Sequence, residues 1–248
     1  MGERLQRIKA KWKEKREEYK LELKRQFVHA LGVIFVIPII LFPETIAIKI
    51  FGVSAVLVAF GHWYFSARRQ RHKHFKEFIR NLRLKREKEK TLLAGEKKLQ
   101  KFESLLLSAL KAHLMRKKES PLLSSFYFLL SSIFALLLFG ASFAIIGLIT
   151  LGIGDSASTI VGKKFGRTRL LYNKDKSIEG SFAFFIATFI ALLTFFYFFP
   201  QYALINKYLL AIFAAFFGAL IETIPTANDN ATIPVGVSAC LWLVLLLL

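Results

Sequence analysis

The chain has 248 residues, of which 54% are hydrophobic and 26 are Phe, yet its formal net charge is +19. Apolar and basic residues separate into blocks, which excludes an ordinary soluble domain and indicates a polytopic membrane protein. The single cysteine, Cys240, excludes disulfides and cysteine-based zinc sites.

Residues 3–26 are strongly charged, rich in helix formers and free of Pro and Gly. They predict one long basic helix (domain 1–26) that runs into the first apolar stretch. That basic segment is too long for a cleavable signal peptide, and no small-x-small cleavage site follows. A bilayer-spanning helix needs about 17–25 mostly apolar residues. Seven stretches approach this: 27–43, 45–66, 121–139, 141–162, 181–199, 208–224 and 231–248. The first two form a pair (27–66), and the last five form a membrane region expected to carry the chemistry (121–248).

Between them lies a second basic segment, 67–120, predicted as a cytosolic helical hairpin turning near Gly95 or as helices on the lipid surface. Such basicity suits anionic headgroups, at about 1 kcal/mol per nearby Lys or Arg. No recognition motif accompanies the charge, which argues against nucleic acid. His72 and His74 lack the further ligands that a metal would need.

Charge sets the predicted orientation. With the N-terminus in the cytosol, segments 1–26, 67–120, 163–180 and 225–230 lie inside and hold 34 of the 36 Lys and Arg residues. The fold class is therefore all-α, with about seven transmembrane helices and a cytosolic N-terminus.

Three polar elements then fall on the predicted cytosolic side. In the first span, Glu22, Arg25, Gln26, His29 and Gly32 share one helical face. In the fourth, Asp155 interrupts an apolar run about 12 Å from the helix end near Lys163. Ser158, Thr159 and Gly162 follow Asp155 on its face. A carboxylate in such a span costs roughly 2.5–3.5 kcal/mol on insertion scales and normally marks a site. The third element, 222–234, carries Glu222, Asn228, Asp229 and Asn230 together with Pro225 and Pro234. Its oxygens suit a hard cation such as Mg²⁺, and its prolines free backbone groups near the bilayer. Cations that suit phosphate, namely Lys163, Lys164, Arg167, Lys174 and Lys176, complete a pattern for phosphoryl or nucleotidyl transfer. No Walker loop or protein-kinase catalytic loop is present.

These motifs resemble those of the CTP-dependent lipid kinases, the family of dolichol kinase, phytol kinase and CTP-using diacylglycerol kinase, distantly related to phosphatidate cytidylyltransferase. GDSASTIVGKKFG and KSIEGS (154–166 and 176–181) are similar to the family's G-D-x-x-A-x-x-x-G and K-[ST]-x-E-G-[ST] motifs. ELKRQFVH (22–29) is similar to its E-x-x-R-K-x-x-H, and NDNATIP (228–234) to its D-D-N-L-T-[IV]-P. Gln26, Asn228 and Ala231 depart from these patterns. The resemblance implies transfer of the γ-phosphate of CTP to the hydroxyl of a polyprenol- or dolichol-type membrane alcohol. It implies Asp155 and Asp229 on Mg²⁺ or the nucleophile, and Lys176 with Lys163 on the triphosphate. Glu179 would orient Lys176 or serve the metal, Gly180 would allow close backbone approach, and Ser181 would cap the next span. Gly154, Ser158, Gly162, Lys164, Lys174, Ser177, Arg25, His29 and Asn230 complete the implied nucleotide-binding set.

The alternatives are a cytidylyltransferase making a CDP-lipid, a diacylglycerol kinase, and a non-catalytic anchor using its basic arms. The cytidylyltransferase patterns S-x-x-K-R and P-G-H-G-G-x-x-D-R-x-D are absent. The expected setting is the cell membrane of a prokaryote or the endoplasmic reticulum of a eukaryote, with the site facing the cytosol. The oligomeric state stays open, a homodimer included.

Overall fold

The computed structural model of the chain describes residues 12, 16–17, 19–27, 29–81, 121–225 and 228–247. Among these the regular secondary structure is helical, apart from one isolated antiparallel bridge between Arg169 and Ser177. The described helices are α1 (Tyr19–Leu41), α2 (Glu44–Asn81), α3 (Pro121–Phe139), α4 (Ala141–Phe165), α5 (Ile178–Phe198), α6 (Lys207–Thr223) and α7 (Asp229–Leu247). α1 and α2 run past their expected apolar limits into charged sequence, because Lys, Arg and Glu sustain a helix as well as Leu does. Most of the 67–120 segment, with its expected turn at Gly95, lies outside the described residues.

Among the described residues six helices are long and apolar enough to cross a membrane: α1, the Glu44–Tyr64 part of α2, α3, α4, α5 and α7. α6 has 17 residues, about 26 Å at 1.5 Å per residue.

The chain divides into two compact units. In the smaller, Val56–Leu123, the rings of Phe60 and Trp63 pack with centroids 5.7 Å apart. The larger, Met1–Ala55 with Ser124–Leu248, is organised around α4. Some 67% of the apolar window of α4 is buried within the protein, against 17–28% for the other candidate spans. Lipid offers no hydrophobic drive for helices to associate, so close backbone approach through small residues has to supply it. α4 meets that need with Gly152 against Val33 of α1, and Gly154 against Phe184 and Thr188 of α5. Both glycines lie in a wider, π-helical segment of α4, Thr150–Asp155, that ends on the acidic residue singled out in the sequence.

Prolines at the third element behave in two ways. Pro225 follows the end of α6, where the chain turns extended at Ile224. Pro234 sits inside α7. Lacking an N–H, it leaves the carbonyl of Asn230 without its intrahelical donor, and Ser131 Oγ of α3 donates to that carbonyl at 2.8 Å. Ser238 Oγ donates to Pro234 O at 2.7 Å and to Phe143 O of α4 at 3.0 Å, tying α7 to the centre.

A methyl group at position 154 would lie 2.5 Å from Thr188 Oγ1 and 2.6 Å from the Phe184 ring, whereas one at Gly52 meets nothing within 4 Å. Gly154→Ala should therefore destabilise the protein by about 1–3 kcal/mol, the usual cost of overpacking. Gly52→Ala should be neutral or slightly stabilising. Thermal unfolding in one detergent compares the two.

Candidate active site

The polar elements meet at one end of the larger unit. α1 runs antiparallel to the C-terminal half of α4 in a polar register. His29 Nε2 lies 3.4 Å from Asp155 Oδ2, Ser156 Oγ donates to Gln26 O at 3.1 Å, and Lys163 pairs with Glu22. Glu22 is buried and also takes Arg25 and, at 2.8 Å, Gln26 Nε2. The face expected from spacing thus holds for Glu22, Arg25, Gln26 and His29. Gly32 departs from it and looks toward Phe128 of α3. Ten residues on from Glu22, at about 100° per residue, Gly32 is already turned about 80° away, and α1 tightens to a 3-10 helix from Leu31 on.

The connection 166–177 folds into a short hairpin. Leu170 N donates to Lys176 O at 3.2 Å and Ile178 N to Thr168 O at 3.0 Å, while Lys176 N closes a turn on Asn173 O at 3.2 Å. Its tip is docked on the end of α6, where Tyr172 OH donates to Thr223 Oγ1 at 2.8 Å and Asn173 Nδ2 to Thr223 O at 3.0 Å. This places the Lys176 ammonium among three carboxylates from three helices. Its Nζ is 2.6 Å from Glu222, 3.0 Å from Asp229 and 4.0 Å from Asp155. Burial favours the neutral amine, but Glu222, Asp229 and Asp155 outweigh it and hold Lys176 above the ordinary lysine value. It is a fixed cation at physiological pH.

Glu222, only 1% exposed, is the anchor of the cluster. Besides Lys176 it accepts from Ser158 Oγ at 3.0 Å and Ser181 Oγ at 3.4 Å. By sequence it is one of several candidate oxygen ligands for a cation. Its signal was an acid at the end of an apolar helix, the same cost argument that singled out Asp155.

Other expected residues take different places. Glu179 accepts from the backbone N–H groups of Arg167 and Thr168, both at 3.1 Å, and so shapes the hairpin rather than touching Lys176. The cap of α5 is Ser177, whose Oγ accepts from Gly180 N at 3.2 Å, in place of Ser181. Gly162 and Gly180 bring α4 against α5, since a Cβ on Gly180 would lie 3.0 Å from Ser158 O and 3.3 Å from the Gly162 Cα. Gly154 is likewise in a helix contact. Asn230 points away from the cluster, with Nδ2 donating to Ser124 O at 3.2 Å. Asn228 caps α7 by accepting from Asn230 N at 3.1 Å, a task Asn and Asp perform alike. Lys164 lies over the Phe165 ring at 4.9 Å, and Lys174 is exposed on the hairpin.

Among the described residues no group of three or more His, Cys, Asp or Glu is placed to hold a metal by itself. Three carboxylates around one ammonium nevertheless leave local negative charge. Mg²⁺ commonly binds one or two carboxylates and completes its shell with water and substrate phosphate. The pair Asp155 and Asp229 fits that donor pattern.

The chain matches curated proteins over part of its length. It is 35% identical over 127 residues to dolichol kinase of Saccharomyces cerevisiae, covering 50% of this chain and 24% of that protein. It is 30% identical over 153 residues to CTP-dependent diacylglycerol kinase 1 of the same yeast, covering 54% and 53%. It is 34% identical over 90 residues to the chloroplastic farnesol kinase of Arabidopsis thaliana, covering 32% and 28%. The chain thus spans about half the length, or less, of the curated relatives it matches. No family model and no solved structure matches. The relatives carry the names of the lipid-kinase group whose motifs the sequence resembles.

Replacing Lys176 by Met strands Glu222 beside two more carboxylates. Removing one partner of a buried pair costs about 3–5 kcal/mol, and the partial exposure of Lys176 puts the loss at the low end. The double variant Lys176→Met with Glu222→Gln should recover much of that stability without recovering any Lys176-dependent activity. Unfolding temperatures of the three proteins check this.

Proposed function

We propose that this chain is a CTP-dependent lipid kinase that phosphorylates the hydroxyl of a polyprenol- or dolichol-type alcohol at the cytosolic membrane face. One observation carries the reading: Lys176 is held by Glu222 at the end of α6, Asp229 at the start of α7 and Asp155 within α4, near the Glu22–Arg25–Lys163 cluster. Fixed cations and carboxylates side by side match a donor whose phosphates need both charge neutralisation and a metal. The curated relatives, named for dolichol, farnesol and diacylglycerol kinases, support the same class.

In the reaction the acceptor oxygen attacks the γ-phosphorus and the bond from γ-phosphorus to the bridging oxygen breaks. CDP leaves with its electrons, and the hydroxyl proton passes to Asp155 or Asp229. Lys176 neutralises the phosphates, and Arg25 and Lys163, set by Glu22, widen that positive field. Whichever of Asp155 and Asp229 does not take the proton would help hold Mg²⁺, which would supply charge neutralisation there. The acceptor would enter sideways between helices, its chain in lipid and its hydroxyl at the polar end.

The proposed topology has seven spans. α5 starts at the polar end, and α6 returns there to present Glu222, so α6 must cover the same height in 17 residues. The distribution of Lys and Arg supports a site facing the cytosol.

Purified protein incubated with CTP labelled at the γ-position and a panel of polyprenols, dolichols and diacylglycerols should yield labelled lipid. CTP labelled at the α-position should label no lipid, since label there would indicate a CDP-lipid and a cytidylyltransferase. The absence of labelled lipid with every acceptor would sink the kinase reading. EDTA should abolish transfer and Mg²⁺ should restore it. Asp155→Asn should lower turnover by about 10²-fold or more, the scale of losing a general acid–base group, whereas a non-catalytic anchor would be indifferent to it.

A further inference from the structure

The hairpin 166–177 lies outside the spans, yet it presents apolar residues outward. Leu171 at its tip is 97% exposed. Phe165 and Ile178, which end α4 and begin α5, are also exposed, as is Ile224 just past α6. Exposed side chains on a membrane helix face lipid, but a connecting loop has no such excuse. Four cations share the surface with these residues: Lys164, Arg167, Arg169 and Lys174 are all exposed. Lys164 lies over the Phe165 ring with its ammonium 4.9 Å from the centroid, an apolar stem and ring under a charged head as at membrane interfaces. The acids of the loop are engaged or few. Glu179 is spent on the backbone of Arg167 and Thr168, leaving Asp175 as the acid of the tip.

The inner side of the same hairpin is not loose. Tyr172 and Asn173 are hydrogen-bonded to Thr223, and Arg169 Nη1 donates to Asp175 O at 3.1 Å. Leu171 therefore projects from a braced turn, and its exposure is a property of the fold.

We infer that this hairpin is a membrane-docking element: Leu171 inserts into the bilayer interface, while Lys164, Arg167, Arg169 and Lys174 bind anionic lipid headgroups. The occupant follows from the surface itself. An apolar tip ringed by cations complements the junction of acyl chains and negative headgroups, and the loop joins two helices at the bilayer boundary, within reach of it. Because Lys176 closes the turn on Asn173, the element that grips the lipid surface also carries the central cation of the site. The inference concerns placement in the membrane and stands independently of the kinase reading.

Cys240 is the sole cysteine, so a Cys240→Ser background accepts one nitroxide at a chosen position. Leu171→Cys and Asp175→Cys proteins, each labelled and reconstituted in phosphatidylcholine bilayers with and without phosphatidylserine, are compared by power saturation against oxygen and a water-soluble nickel chelate. The label at 171 should be relaxed mainly by oxygen and the label at 175 mainly by nickel. Phosphatidylserine should raise the oxygen-to-nickel ratio at 171, and that rise should vanish when Arg167, Arg169 and Lys174 are changed to Gln. Equal nickel accessibility at both positions would overturn the proposal. So would a label at 171 shielded from both reagents, which would mean a protein surface such as a second copy covers the tip.

Discussion

Three carboxylates drawn to one end of an apolar bundle repel one another, and two of them come from helices whose other residues are almost all hydrophobic. The ammonium of Lys176 makes the arrangement tenable, with Glu222 at 2.6 Å, Asp229 at 3.0 Å and Asp155 at 4.0 Å. Each acid belongs to a different helix, so one cation ties the end of α6 and the start of α7 to the interior of α4. The hairpin exists to deliver that cation. Its backbone is shaped by Glu179 and its tip is pinned to Thr223, two groups that never touch the ammonium.

The second constraint is the geometry of α4, which must face α1, α5, α6 and α7 while placing one acid at the polar end. The π-helical segment Thr150–Asp155 adds about one residue to the helix and turns the face that follows by about 100°. At its end Asp155 meets His29 of α1 and beyond it Ser158 meets Glu222 of α6, while before it Phe143 and Gly147 sit against α7. A regular helix would carry one face throughout. The widening lets the packing half and the polar half of α4 address different neighbours.

Hydropathy made most of the fold legible, because a span must be about 20 apolar residues long wherever it occurs. The polar end was legible for the same reason: a charge inside such a run is costly enough to stand out, as Asp155 and the Glu22–His29 face did. What spacing could not show was the partnership. Glu222 and Lys176 are 46 residues apart, and nothing local in either segment announces the other. The helix widening at 150–155 and the 3-10 turn at Leu31–Phe35 were equally silent, since apolar residues accept α, 3-10 and π geometry alike.

The glycines of the central motifs carry a lesson about dividing a motif into parts. Gly-rich sequence beside lysines reads naturally as a phosphate cradle. Here Gly154, Gly162 and Gly180 are occupied by helix contact, and a Cβ at any of them would meet a neighbouring helix or its cap rather than open space. Their smallness lets α4 and α5 approach until Ser158 and Ser181 both reach Glu222. The motif therefore separates into a packing part and a charged part, and the second depends on the first. Were the two helices pushed apart, Glu222 would lose both hydroxyl donors and rest on Lys176 alone among the bonds described here. Chemistry at this end of the bundle is set by the ionised groups, and its precision is set by residues with no side chain at all.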